Sequence, residues 1–458
     1  MFGAEPNRKR PVPLVGLSLP FRRSGLSSTA ASSTKDVALV VSHLVGVDTA
    51  RHYATSLIDA GRTVRVYCLG PFADSARELM PAGTEVVERS AIAISARLSR
   101  VAAQAVYLFA DFDPGLNITQ RQRFEHRSAL GAGMRRTALR LARRVSAKRM
   151  NSLSRALLGR GTPVIPESHI WVVSFLTEPL MAMNQDAQVC TILDSWDHPV
   201  RKPAGYRSDV VIGWNRDLAE DWVEFQGADR AISAAPVKLR YAAEAWPLET
   251  SSAPRLMYAV GTSSHTPEWE RAELALVELI CEAARSASWD VMLKLKPTGG
   301  QEAWQQFPGR FAHVTVTEET DALNPMHYFL DDAYNAKRLE QLGQVQLVLN
   351  AVTTFGLDAA CAGVPVLQLA GLTGDGLAGL RAAQRNYHLV KYLLSDADVF
   401  QVDEGEFAGK LSHWLMAPDR CAVDYSRRLR SWLVSSASFE RSIAEATAAA
   451  LEPARPRP

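Results

Sequence analysis

Short, unbroken apolar runs rich in Val and Ile recur along this chain, each followed by a stretch of helical periodicity. That alternation restricts the fold more than any other feature. Residues 36–42 read Asp-Val-Ala-Leu-Val-Val-Ser, with no polar residue inside the run, as a strand covered on both faces requires. A turn holding His43 and Gly46 follows, then a helix predicted over 49–60 and ended by Gly61, then a second strand over 63–69. Strand, helix and strand within about 35 residues make the βαβ unit of a doubly wound parallel sheet. Further strands are expected at 105–109, 170–174, 189–194, 210–214 and 231–237.

The alternation lapses over 241–254, a Pro- and Ser-containing stretch, and resumes with strands expected at 256–260, 291–295, 313–317, 347–350 and 364–369. The predicted organisation is therefore α/β throughout. A Pro-, Ser- and Arg-rich tail expected to be disordered covers 1–34, and a Rossmann-like domain spans 35–240. A linker occupies 241–254, a second Rossmann-like domain spans 255–424, and terminal helices with a tail close the chain at 425–458. Two such domains are expected to face one another across a cleft between the carboxyl ends of their sheets, where folds of this kind take ligands.

Composition removes several function classes. Fifty-one Lys and Arg against 49 Asp and Glu leave +2, so no field covers the whole molecule to draw it to nucleic acid. Five widely separated cysteines without a Cys-x-x-Cys pair argue against a disulfide scaffold and suit a reducing, cytoplasmic compartment. No apolar run approaches the roughly 18 residues of a spanning helix. One segment, 134–150, carries Arg135, Arg136, Arg140, Arg143, Arg144, Lys148 and Arg149 without an acid, with Met134, Ala138, Leu141 and Val145 at helical spacing. Such a helix is either a solvated face or a peripheral contact with the anionic inner face of a membrane.

The most informative stretch is 347–369. An apolar strand runs into Thr353-Thr354 at the start of a helix, with Asp358 four residues after Thr354 and Gly363-Val364-Pro365 at the end. Unpaired amides and hydroxyls at a helix start suit phosphate oxygens, and a carboxylate one turn on suits ribose hydroxyls. An ordinary helix with a Thr cap and a Gly stop needs the same residues. Residues 291–297, Val-Met-Leu-Lys-Leu-Lys-Pro, place Lys294 and Lys296 on one face of a strand end, either to offset a diphosphate or to lie in solvent. Gly261-Thr262-Ser263-Ser264 follows the first strand of the second domain, where small residues let backbone approach a diphosphate.

Taken in this order, these segments resemble glycosyltransferases of the two-domain GT-B architecture, especially bacterial surface-carbohydrate and CDP-glycerol-type polyol-phosphate transferases. Residues 353–365 are similar to the family's Ser-Thr-x-x-x-Glu-Ala…Gly-x-Pro segment, with Asp358 where Glu is more usual. Residues 291–297 are similar to its Lys-x-His-Pro strand end, with Lys296 in place of His. Residues 194–215, which include Ser-Trp-Asp-His-Pro, resemble its Ser-Trp-Asp-Asn region, and 385–388, Arg-Asn-Tyr-His, the segment over the nucleotide sugar. The resemblance implies a donor site of Gly261, Thr262, Ser263, Lys294, Lys296, Thr353, Thr354, Asp358 and His388. It implies transfer of a sugar from a nucleotide sugar to a cell-surface carbohydrate or lipid-linked acceptor, with the donor as a substrate and no cofactor.

Transfer at an anomeric carbon needs a group to take the acceptor's proton. His43, directly after the first strand, would project from its carboxyl end. Asp197 and His198, beside Trp196, are the alternative, and Asp111 and Asp113 a third. No His-x-x-x-His occurs, and Asp331-Asp332 has no second acidic cluster, so no metal site is expected. Two other activities fit the same segments: CDP-glycerol-type polyol-phosphate transfer, and a catalytically silent carbohydrate-binding or scaffold subunit.

Overall fold

The computed structural model describes residues 36–89, 164–174, 183–184, 186–194, 208–226, 228–261, 267–295, 302–317, 332–384, 399–434 and 438–452. The first sheet has seven strands: β1 (Asp36–Val41), β2 (Thr63–Cys68), β3 (Glu85–Glu88), β4 (His169–Ser174), β5 (Gln188–Leu193), β6 (Val210–Gly213) and β7 (Arg230–Ser233). They lie in the order β3-β2-β1-β4-β5-β6-β7, every pair parallel. Helices α1 (Val47–Asp59), α2 (Ala73–Leu79) and α3 (Arg216–Gln226) belong to this lobe, and α4 (Arg240–Glu244) lies in the connection that follows.

The second sheet has six parallel strands: β8 (Arg255–Ala259), β9 (Asp290–Lys294), β10 (Val314–Thr317), β11 (Leu347–Asn350), β12 (Val366–Thr373) and β13 (Val399–Asp403). Their order is β10-β9-β8-β11-β12-β13. Its helices are α5 (Pro267–Ala287), the short α6 (Glu302–Gln305) and α7 (Phe307–Arg310), α8 (Asp332–Gly343), α9 (Phe355–Ala362), α10 (Ala378–Gln384), α11 (Phe407–Met416) and α12 (Cys421–Leu433). A last helix, α13, covers Phe439–Leu451.

Both sheets are doubly wound. In the first, the chain builds outward from β1 through β2 to β3, then returns to the other side of β1 with β4. In the second it does the same around β8, with β11 on the far side. The reversal points lie between β1 and β4, and between β8 and β11, and the carboxyl ends of such strands are where doubly wound sheets take ligands. Val37 to Val41 have no exposed surface, which accounts for the continuous apolar run.

The chain's end does not stay with the second sheet. Helix α12 packs on α9 and β12, where Ser426 Oγ accepts from Val366 N at 2.7 Å and donates to Val364 O at 3.1 Å. Helix α13, capped by Ser438 Oγ on Arg441 N, returns to the first lobe instead. Its Ile443, Ala446 and Ala450 join the core built by β1, β4 and α1. Ser56 Oγ donates to Thr447 Oγ1 at 2.9 Å, and Ser442 Oγ accepts from Ala235 N at 2.9 Å. Among the described residues no helix is long and apolar enough to cross a membrane.

Candidate functional site

Residues flanking the second sheet's reversal point carry most of the expected donor site. Gly261 follows β8 by two positions, and Ala351 to Thr354 connect β11 to α9. These two loops touch: a Cβ on Gly261 would stand 2.6 Å from Val352 Cγ2, so only glycine allows the approach. Helix α9 is stopped by Gly363 at φ 93°, a left-handed conformation that glycine adopts without strain.

The two threonines divide. Thr353 is buried, and its hydroxyl donates to Asn350 Oδ1 at 2.8 Å, while Asn350 Nδ2 donates to Gln368 Oε1 at 2.8 Å. It braces the loop against β12. Thr354 is the N-cap residue of α9, exposed, with no side-chain capping bond. Its hydroxyl therefore stands at the positive end of a helix whose cap it does not close.

Asp358 lies one turn along and is 4% exposed. Its Oδ1 accepts from the Tyr241 phenol of α4 at 2.6 Å and pairs with Arg338 Nη2 of α8 at 3.0 Å. Burial raises the Asp358 carboxyl above the usual range, and Arg338, the Tyr241 hydrogen bond and Lys294 oppose that rise. The expected ribose ligand is thus engaged by protein groups, one of them from the segment expected to be a plain linker. Lys294 is not at a solvated strand end: it is buried at the end of β9, its Nζ 5.2 Å from the Phe355 ring centroid and 5.9 Å from that of Tyr334. Arg338 lies 4.9 Å from the Tyr241 ring centroid and 5.4 Å from that of Phe355. Two cations, three aromatic rings and one carboxylate meet beside the start of α9.

Gly261's amide also has a protein acceptor. Glu273, on the inner face of α5 with no exposed surface, accepts through Oε1 from Gly261 N and from the Tyr258 phenol, the latter at 3.0 Å. Sequence reasoning passed over Glu273, yet a signal existed: it lies three and four positions before Leu276 and Val277 on the apolar stripe of a helix, where an unpartnered carboxylate would be costly. Tyr241 and Arg338 gave no comparable signal.

At the first sheet's reversal point His43 follows β1 by two positions, in extended conformation (φ −142°, ψ 141°) and partly exposed. Its carbonyl accepts from Gly46 N at 2.9 Å and its imidazole makes no capping bond to the turn. Beyond the end of β5, Asp194 is 2% exposed, paired with Lys238 Nζ at 2.8 Å and accepting from the Thr49 hydroxyl. Burial raises its carboxyl, and Lys238 pulls it back.

Asp197, His198, Thr262, Ser263, Lys296 and His388 lie outside the described residues, as do Asp111, Asp113 and the basic segment 134–150. Among the described residues no cluster of His, Cys, Asp and Glu could hold a metal ion.

No family model matches the sequence, and no curated protein matches it. Solved structures do match in outline. The calicheamicin glycosyltransferase CalG4 is 13% identical with a TM-score of 0.41, over 92% of this chain and 99% of that one. A glycosyltransferase from Rickettsia africae is 10% identical with a TM-score of 0.43, over 92% and 100%. Arabidopsis thaliana UGT89C1, complexed with UDP-L-rhamnose, is 12% identical with a TM-score of 0.44, over 91% and 99%. At such identities and TM-scores the likeness carries no argument about chemistry, and any functional assignment rests on this chain's own residues.

Proposed function

We propose that the chain is a glycosyltransferase of GT-B type that moves a sugar from a nucleotide-sugar donor to a carbohydrate or lipid-linked acceptor. The observation that carries this is the coincidence of candidate residues with both reversal points: His43 after β1 in one sheet, and Gly261 and Thr353-Thr354 after β8 and β11 in the other. The sequence analysis places these residues directly after predicted strands, and the sheet order adds that those strands flank the reversal points.

In this reading the donor diphosphate lies against the start of α9, where Thr354's hydroxyl and the helix dipole stabilise the charge that grows as the bond from the anomeric carbon to the diphosphate breaks. Lys294, at the end of β9, adds positive potential from within the protein. The acceptor hydroxyl attacks the anomeric carbon and gives its proton to His43 or to Asp197. Residues 134–150 would hold the enzyme on an anionic lipid surface, near lipid-linked acceptors. Five free cysteines suit a reducing compartment.

A second reading has a specific observation behind it. Thr353, Asp358 and the Gly261 amide are each satisfied by protein groups, as in a subunit that has kept the scaffold and lost the donor. Thermal unfolding with UDP, CDP and GDP decides between them, since a ligand that binds only the folded chain raises the midpoint. Stabilisation by one of the three supports a donor site, and preference for CDP would redirect the assignment to polyol-phosphate transfer. No shift with any of them favours the silent subunit.

A further inference from the structure

The geometry points to Glu273 as a positioning residue that holds Gly261 and, through it, sets the loop between β11 and α9 for the donor diphosphate, an inference that rests on the proposed donor site. Glu273 lies on α5 and has no exposed surface. Burying a carboxyl group is costly unless hydrogen bonds offset its desolvation. Its Oε1 takes the Gly261 N–H, two positions past the end of β8, and the Tyr258 O–H, from the body of β8. Two hydrogen bonds converge on this one oxygen, so the Gly261 amide is held in one orientation.

That orientation governs the neighbouring loop as well. A Cβ on Gly261 would lie 2.6 Å from Val352 Cγ2, 3.0 Å from Glu273 Oε1 and 3.3 Å from Trp269 Cζ2. Gly261 is therefore pinched between Glu273 and the residue immediately before Thr353. A shift of Glu273 moves Gly261 against Val352, and with it the path into Thr353-Thr354. Gly261's own amide is committed to Glu273, so its part is to transmit position to the start of α9.

The test uses the full chain, with titration of a nucleoside diphosphate that stabilises it and of the corresponding nucleoside, and with unfolding midpoints in parallel. Glu273→Leu is expected to weaken diphosphate binding about tenfold while nucleoside binding stays within about twofold, because only the phosphate-facing loops are displaced. Glu273→Gln, which keeps the acceptor, should bind within about threefold of the wild type. Tyr258→Phe removes the other donor and leaves Gly261 clamped; it should lower the midpoint without changing either affinity. Should Glu273→Leu fail to fold, Glu273→Asp, whose shorter stem draws the acceptor back, takes its place with the same expected direction. Unchanged diphosphate binding in the variant overturns the inference alone. So do equal losses for diphosphate and nucleoside, or a loss in Tyr258→Phe that matches the one in Glu273→Leu. A wild-type chain that binds none of UDP, CDP and GDP overturns the donor reading and this inference together.

Discussion

Each lobe buries one aspartate near the carboxyl edge of its sheet, and the two are satisfied alike. In the first lobe Asp194 takes the Lys238 ammonium and the Thr49 hydroxyl; in the second Asp358 takes the Arg338 guanidinium and the Tyr241 hydroxyl. The difference lies in which partner comes from the connection between the sheets. Lys238 and Tyr241 stand three residues apart in that connection, so it supplies the cation to the first lobe and the hydroxyl to the second. The connection between the sheets is thus tied by polar groups to the interior of both lobes, and Tyr241 is the one of the two that falls within the 241–254 stretch read as linker. A stretch can lack periodicity because its contacts are specific and few, and still be fixed.

The comparison is most severely tested by removing the cations. Lys238→Met and Arg338→Met each take the ion-pair partner from a buried carboxylate and should each cost about 3–5 kcal/mol in denaturant unfolding. Costs that differ by several-fold would break the symmetry between the lobes. Removing the hydroxyls is milder: Thr49→Val and Tyr241→Phe each delete one bond to a charged group and should cost about 1.5–3 kcal/mol. If Tyr241→Phe also tightens nucleotide binding, Asp358 is a ribose ligand that the connection restrains. Unchanged binding would leave Asp358 a structural brace.

A smaller effect concerns α12 and α3, where Trp432 Nε1 donates to Asp217 Oδ2 at 2.9 Å in an exposed setting; Asp217→Asn should change stability by less than about 1 kcal/mol. The smallest is pH dependence in the first lobe. Burial lowers both His52 and His169 below the ordinary histidine value of 6.5. Below pH 6.5 the unfolded chain therefore binds more protons than the folded one, and stability contributed by these residues is complete above pH 6.5 and lost as pH falls. The double substitution His52→Gln and His169→Gln should flatten that slope; an unchanged slope between pH 7 and 5 would contradict it.

The central strands were legible in sequence because burial on both faces writes a continuous apolar run. β1 was expected at 36–42 and lies at Asp36–Val41, and β11 was expected and found at 347–350. Two strands at sheet edges, β3 (Glu85–Glu88) and β13 (Val399–Asp403), were not anticipated, since an edge strand is half covered and carries polar residues such as Glu85, which meets Arg65 across the sheet at 2.8 Å. The first helix begins at Val47, two residues before the expected Thr49, and β7 ends at Ser233 where 237 was expected. The return of α13 to the first lobe was not visible either, because its apolar stripe specifies a buried face and says nothing about which lobe covers it.

At the candidate site the sequence identified residue types suited to a diphosphate, but not which atoms the protein keeps for itself. Thr353 and Thr354 are adjacent in the chain, yet the first is buried and bonded to Asn350 and the second is exposed. Tyr241, the hydroxyl partner of Asp358, is 117 residues away in sequence. Such pairings arise from tertiary placement, and local pattern holds no record of them.

The central claim is that the start of α9 receives a diphosphate through Thr354. Calorimetric titration of the wild-type chain and of Thr354→Val with UDP, CDP and GDP tests it most directly. Saturable binding of at least one by the wild type, weakened about tenfold in the variant at an unchanged unfolding midpoint, is the predicted result. Equal affinities in the two proteins, or no binding by either, would contradict it.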